Sequence, residues 1–219
     1  MLNRLRSSPI VVRVVPFAAF ALLTLLQGRW GDTSQYWIYS LKVLTGAGLL
    51  WLLRPYIKEM RWNLSWEAAL AGAAVFLIWI GLDGHYRIIF ARPGNYNPEL
   101  TYGSGSPIAF AFLTVRLLGS SLVVPPLEEI FYRSFLYRYL IKSDFLKIPL
   151  GHFEWKAFLI TGVVFGIGHY EWLPGILCAF VYQWLVCRKK RLGDAISAHA
   201  ITNFLLGFWI IARKAYFFW

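Results

Sequence analysis

Seven apolar runs separated by short polar segments divide this chain of 219 residues and leave it few ways to fold. The first follows Arg4, Arg6 and Arg13 and extends to Leu26. The others are Trp37 to Leu53, which carries Lys42, then Ala68 to Leu82, Pro107 to Leu127, which contains Arg116, Trp155 to Tyr170, Trp172 to Cys187, and Ala195 to Ala212. Backbone amides cannot stay unpaired in hydrocarbon, so such runs in a bilayer become helices. Each of the first three is near or below the roughly 20 residues that span a membrane, and flanking aromatic and basic residues must supply the missing length. Composition agrees: the chain is 58% hydrophobic and 15% charged, against about 25% charged in soluble domains. The expectation is an all-α, polytopic transmembrane helical bundle of about seven or eight helices, a single integral membrane domain over residues 1–219.

A net charge of +11 would suggest nucleic acid in a soluble protein. Here the basic residues collect between apolar runs, as in cytoplasmic loops, and no phosphate-binding or base-stacking module lies between them, so the expected partner is the bilayer. Four segments are basic: the N-terminus, Arg54 to Arg61, the stretch after Arg133, and Arg188 to Arg191. Seven crossings put all four on the cytoplasmic side. The basic start is not read as a signal peptide, because no small-residue cleavage site follows at Gln27 to Trp30. Cys178 and Cys187 share one apolar run and suggest neither a disulfide framework nor a thiolate metal site. Asp83 to Ser106, rich in Gly, Pro, Asn and Tyr, is a lid or only a connection.

Glu128 and Glu129 stand out against this background, since intramembrane carboxylates are costly and mark function. In a helix Glu129 and Arg133 are i and i+4, oriented for an ion pair. Glu128 lies about 100° around the helix from that pair and remains free for chemistry. The bland reading is the solvated start of a basic amphipathic helix, since Arg138, Lys142 and Lys147 follow. Pro125 and Pro126 must break or kink the helix just before Glu128; Pro107 to Ile141 is too long for one straight crossing and barely enough for two. Two histidines also fall in apolar runs. Phe165 lies one turn before His169, and Asn203 one turn after His199. Either histidine alone reads as a structural hydrogen bond between helices; their combination with Glu128 favours a site.

The ordered set EExxxR (Glu128, Glu129, Arg133), FxxxH (Phe165, His169) and HxxxN (His199, Asn203) resembles the CAAX prenyl protease and bacteriocin-processing (CPBP, or Abi) family. The resemblance covers Pro125 to Leu206, within a catalytic helical core of residues 107–212; residues 1–106 match only in being hydrophobic. Length and the context VVPPLEEIFYRSFLYRYLIKSDF resemble more closely the bacterial members associated with exosortase and PEP-CTERM sorting systems. Ser134 departs from the pattern, since Gly often follows the arginine. The resemblance implies an intramembrane glutamate protease of a bacterial inner membrane, acting on a membrane-associated protein or peptide without a cofactor, with an exosortase sorting system as a possible associate.

Elementary chemistry supports that implication. Amide hydrolysis needs a base for water, donors for the oxyanion and a cavity that admits water. Glu128 can take the proton, since a carboxylate in apolar surroundings is a stronger base than one in water. His169 can position the same water, while His199 and Asn203 can donate to the oxyanion. Glu129 with Arg133 is a supporting pair. Two alternatives stay open: a zinc metalloprotease with Glu128, His169 and His199 as ligands, although no HExxH helix is present, and a non-enzymatic membrane chaperone or immunity protein.

Overall fold

The computed structural model describes residues 8–89 and 96–219, and in them the apolar runs are helices. They are α1 (Pro9–Thr24), α2 (Ser34–Leu53), α3 (Trp66–Gly81), the short α4 (Pro98–Tyr102), α5 (Pro107–Ile141), α6 (Trp155–Ile167), α7 (Trp172–Lys189) and α8 (Gly193–Arg213). No strand occurs among the described residues. The stretches Ser34–Tyr56, Pro107–Ile141 and Gly193–Arg213 are long and apolar enough to cross a membrane, and α1, α3 and α6 are shorter apolar helices. Polar side chains close several helix starts. Ser8, Ser65 and Glu154 accept the free amides of Val11, Ala68 and Ala157, the donors that a first helical turn leaves unpaired.

The interruption expected at Pro125 and Pro126 takes the form of a widened turn, not a chain break. Proline has no amide hydrogen to give to the preceding turn. The helix answers with a π-helical segment, Gly119–Val123, in which the Val124 amide reaches back to the Gly119 carbonyl. The α-helical ladder then resumes over Val124–Glu129, with both prolines in its first turn, followed by a second π-helical segment at Ile130–Leu136. The 35 residues of α5 are thus one helical element whose face is re-aimed twice.

Helices α3, α7 and α8 pack together at the centre. A Cβ on Gly72 of α3 would come within 2.6 Å of the Ala198 carbonyl oxygen, so the backbones of α3 and α8 meet as closely as they do only because this residue is glycine. Large apolar side chains such as Leu22, Leu44, Trp51, Leu77, Phe110 and Phe208 point outwards, which suits lipid and not water. The bundle has two chemically distinct ends. Lys189 of α7 pairs with Glu67 of α3 at 3.0 Å, at the end that carries the basic loops. At the other end Trp172 Nε1 donates to the Arg87 carbonyl at 3.0 Å and the Tyr36 hydroxyl to that of Asn97 at 2.9 Å.

Arg13 does not belong to a basic N-terminal flank, as its proximity to Arg4 and Arg6 suggests; those two lie outside the described residues. It is buried, with Nη2 at 2.7 Å from Glu59. Arg138 reaches the same Glu59 oxygen at 3.0 Å, and so it too is withdrawn from the exposed basic segment after Arg133. The Ser134 hydroxyl donates to that carboxylate and accepts from Arg13 Nε at 3.0 Å and Arg138 Nη2 at 2.8 Å. The serine that departs from the family pattern is therefore accommodated, and it completes a cluster tying α1, the loop after α2, and α5.

Burial alone would raise the Glu59 pKa, but Arg13 and the Ser134 hydroxyl hold it below its ordinary value of 4.5. A depressed carboxyl pKa contributes stability that is present above the ordinary value and lost as pH falls through the depressed one. Glu59→Gln leaves two buried cations without a countercharge and is expected to cost about 3–5 kcal/mol. The check is the thermal midpoint in detergent at neutral pH, with the native advantage shrinking below about pH 4; equal midpoints for the two proteins would refute the role of the cluster.

Candidate active site

Glu128, His169, His199 and Asn203 all line one cavity of about 500 Å³ enclosed by α1, α2, α5, α8, the α6–α7 turn and the C-terminal residues. Four expensive polar groups share one polar space inside an apolar bundle, so each is spared unpaired contact with hydrocarbon. The cavity lies towards the end formed by Thr24, the α6–α7 turn and Trp219, opposite the loops that hold Arg54 to Arg61 and Arg188 to Arg191.

The deepest element is a carboxylate–imidazole–carboxylate chain. Glu129 is fully buried; its Oε2 lies 3.2 Å from Arg133 Nε and its Oε1 3.0 Å from His199 Nδ1. The contact to Arg133 is an ion pair without an aligned hydrogen bond. Arg133 is further held by the Ala179 carbonyl at 3.4 Å and by the face of Phe165, 4.7 Å from its guanidinium carbon. An ionised carboxylate only accepts, so His199 Nδ1 carries a proton and Nε2 faces outward. Nε2 lies 3.9 Å from Glu128 Oε2, too far for a direct hydrogen bond and close enough for one water to touch both. Glu128 Oε2 has no protein partner. The His199 ring is held flat against Tyr182 at 5.2 Å, and the Tyr182 hydroxyl donates to Thr202 at 2.6 Å.

His169 lies just beyond α6, which ends at Ile167, and not within a helix as its apolar run suggests. Its Nδ1 is 2.8 Å from the Phe165 carbonyl. A carbonyl only accepts, so Nδ1 is the protonated nitrogen and Nε2 of the neutral ring is an acceptor. Phe165 stacks on His169 at 4.6 Å and meets the His199 ring edge-on at 6.2 Å, so one phenyl ring spaces the two imidazoles.

Asn203 is partly committed elsewhere. Its Nδ2 donates to the Ser120 carbonyl at 2.8 Å. The prolines explain why that carbonyl is available: the Val124 amide is taken by Gly119, and the next donor along would be Pro125, which has none. One Nδ2 hydrogen thus repairs α5 and the other remains for a ligand.

Arg116, Ser120, Val124, Glu128 and Tyr132 all face the cavity although they recur every fourth residue of α5. In a straight α-helix each such step drifts by about 40°; the wider π turns take part of this back. Sequence reasoning missed Tyr132, one turn after Glu128, and gave no role to Lys42 or Arg116, whose positions in apolar runs were the available signal. Tyr182, which orients His199, carries no local signal at all.

Residues 108–205 match the family model described as type II CAAX prenyl endopeptidase, Rce1-like. No curated protein and no solved structure matches the chain. The matched segment contains the α5 acidic pair, both histidines and Asn203. Over residues 108–205 the chain is thus similar to the Rce1-like type II CAAX prenyl endopeptidases, a family of proteases.

Proposed function

We propose that this protein hydrolyses a peptide bond near the end of a membrane-associated protein or peptide, with water activated inside the bundle by Glu128 and His169. The observation that carries this reading is the carboxylate of Glu128, unpartnered at one oxygen and 3.9 Å from His199 Nε2 in a cavity shared with His169. A water bonded to Glu128 loses its proton to that carboxylate while the acceptor Nε2 of His169 aligns its second hydrogen. The hydroxide attacks the scissile carbonyl, and negative charge develops on its oxygen. The free Nδ2 hydrogen of Asn203 meets that charge, with His199 donating from Nε2 when protonated; Glu129, fixed by Arg133, stabilises the imidazolium. Glu128 then passes its proton to the leaving amine, which restores the carboxylate.

Among the described residues no three His, Cys, Asp or Glu side chains stand close enough to share a metal ion. This favours the glutamate mechanism over the zinc alternative. The match to an endopeptidase family argues likewise against a purely structural chaperone or immunity role. Expression with Glu128→Gln is expected to slow cleavage by at least about 100-fold, the low end of what a positioned general base supplies. Comparative peptidomics of membranes carrying native or Glu128→Gln protein reads this as an accumulating uncut precursor, which also names the substrate. Identical peptide profiles would sink the reading.

The orientation belongs to the same proposal. With seven crossings and the Arg54 to Arg61 and Arg188 to Arg191 loops in the cytoplasm, the N-terminus is cytoplasmic and the cavity lies nearer the outer face. An exported, membrane-tethered substrate fits that placement, and so does the suggested association with an exosortase sorting system. A cysteine introduced at Lys190 is expected to resist impermeant maleimide in intact bacterial cells and to label after permeabilisation. Labelling in intact cells reverses the orientation.

A further inference from the structure

Another face of α5 borders a second cavity, a groove of about 560 Å³, within the range of ligand sites. Its floor is apolar, with Ala47 and Leu50 of α2 against Leu122, Val123 and Pro126 of α5. Its mouth holds Arg54 and Arg61 beside Trp51 and Trp62, and no acid lines it. The groove shares no lining residue with the cavity of Glu128. Gly46 parts the two: a Cβ there would come within 3.0 Å of Leu127 and 3.1 Å of Val123, so α2 closes on α5. The acids at this end of the bundle are already committed, Glu59 to Arg13 and Arg138, and Glu67 to Lys189. Among the described residues no carboxylate pairs with Arg54 or Arg61, and both are exposed. Trp51 and Trp62 are 74% and 49% exposed, and tryptophans so placed on a membrane protein mark headgroup level. Ala47 lies seven positions before Arg54, about 10 Å deeper along α2. The groove therefore runs from headgroup depth into hydrocarbon.

We infer that this groove binds one anionic glycerophospholipid, with an acyl chain on the apolar floor and the phosphate between Arg54 and Arg61. Guanidinium forks match phosphate oxygens in charge-assisted pairs, and basic pockets between membrane helices hold anionic headgroups in this way. A choline or ethanolamine headgroup adds another cation beside two arginines, with no acid to receive it. A net-negative headgroup is the one that fits. The site stands whether or not Glu128 activates water, yet it touches the helix that carries Glu128. Val123 ends the wide turn Gly119–Val123 and Pro126 follows it, so the bound acyl chain braces α5 from a face other than that of Ser120 and Glu128. The lipid is a structural ligand of the loosest stretch of that helix.

The test is native mass spectrometry of the intact chain, released from detergent containing phosphatidylglycerol and phosphatidylcholine of equal chain length and equal concentration. One phosphatidylglycerol is expected to be retained at least about 10-fold in preference to phosphatidylcholine, the worth of a hydrogen bond between charged groups. Equal retention of the two lipids overturns the proposal. The double variant Arg54→Gln/Arg61→Gln should lose the preference, while Lys58→Gln, in the same loop but outside the groove, should keep it. If Lys58→Gln lowers the preference as far as the double variant does, diffuse surface charge holds the lipid and the groove does not. Ala47→Phe fills the floor and should reduce retention of either lipid, and Leu122→Trp repeats that test from the facing helix. Each variant is compared at an unchanged thermal midpoint without lipid. Undiminished phosphatidylglycerol on both filled grooves refutes the acyl-chain seat. A lipid-free dimer that the filling variants dissociate gives the groove to a second copy of the chain, and the proposal fails.

Discussion

A carboxylate sealed from water must have its charge answered on the spot, and Glu129 is the group on which the rest of the site depends. Arg133 answers one oxygen and His199 Nδ1 the other. Because Arg133 and Glu129 are one turn apart on α5 while His199 comes from α8, this one ion sets the rotation of both helices. Breaking a buried pair leaves an uncompensated charge, a far larger penalty than the pair's net worth to stability. The chain uses that asymmetry: a pair of modest net value becomes a strong specifier of geometry. The rotation that satisfies Glu129 is also the one that turns His199 Nε2 to Glu128.

Polar satisfaction also links backbone to chemistry around Ser120. Pro125 and Pro126 are a liability in a buried helix, since each withholds a donor. The widened turn before them absorbs one shortfall, and Asn203 absorbs another by donating to Ser120. The side chain that meets a charged oxygen in the proposed reaction is thereby held by a defect in the helix facing it. Structural repair and substrate chemistry share a single amide group, so its position is fixed before any ligand enters.

What could be read from the sequence divides along the distance between partners. Helix positions followed from runs of apolar residues, because burial in lipid is a property of each segment alone. The Glu129–Arg133 pair was legible for a similar reason: i to i+4 spacing is local. Contacts made across the bundle were not legible. Arg13 looked like part of a basic flank because its partner Glu59 lies 46 positions away in a loop. His199 appeared to be free for the substrate, while its Nδ1 is engaged by Glu129, 70 positions distant. Lys42 and Arg116 were visible as charges within apolar runs, but a charge in isolation does not announce which space it will share. Only the folded chain puts them in the cavity that contains Glu128.

The two π-helical segments of α5 make residue number, as well as residue type, part of the design. Arg116 and Glu128 look into one cavity because Gly119–Val123 winds more loosely than its neighbours. Losing a single residue outside that wide turn would swing everything downstream by about 100°, carrying Glu128 away from His199 and Arg133 away from Phe165, whereas a loss within it is absorbed by a return to ordinary α-helical winding. A side-chain replacement in the same five residues disturbs packing locally. The wide turn thus stores one residue of slack in the interval from Arg116 to Glu128.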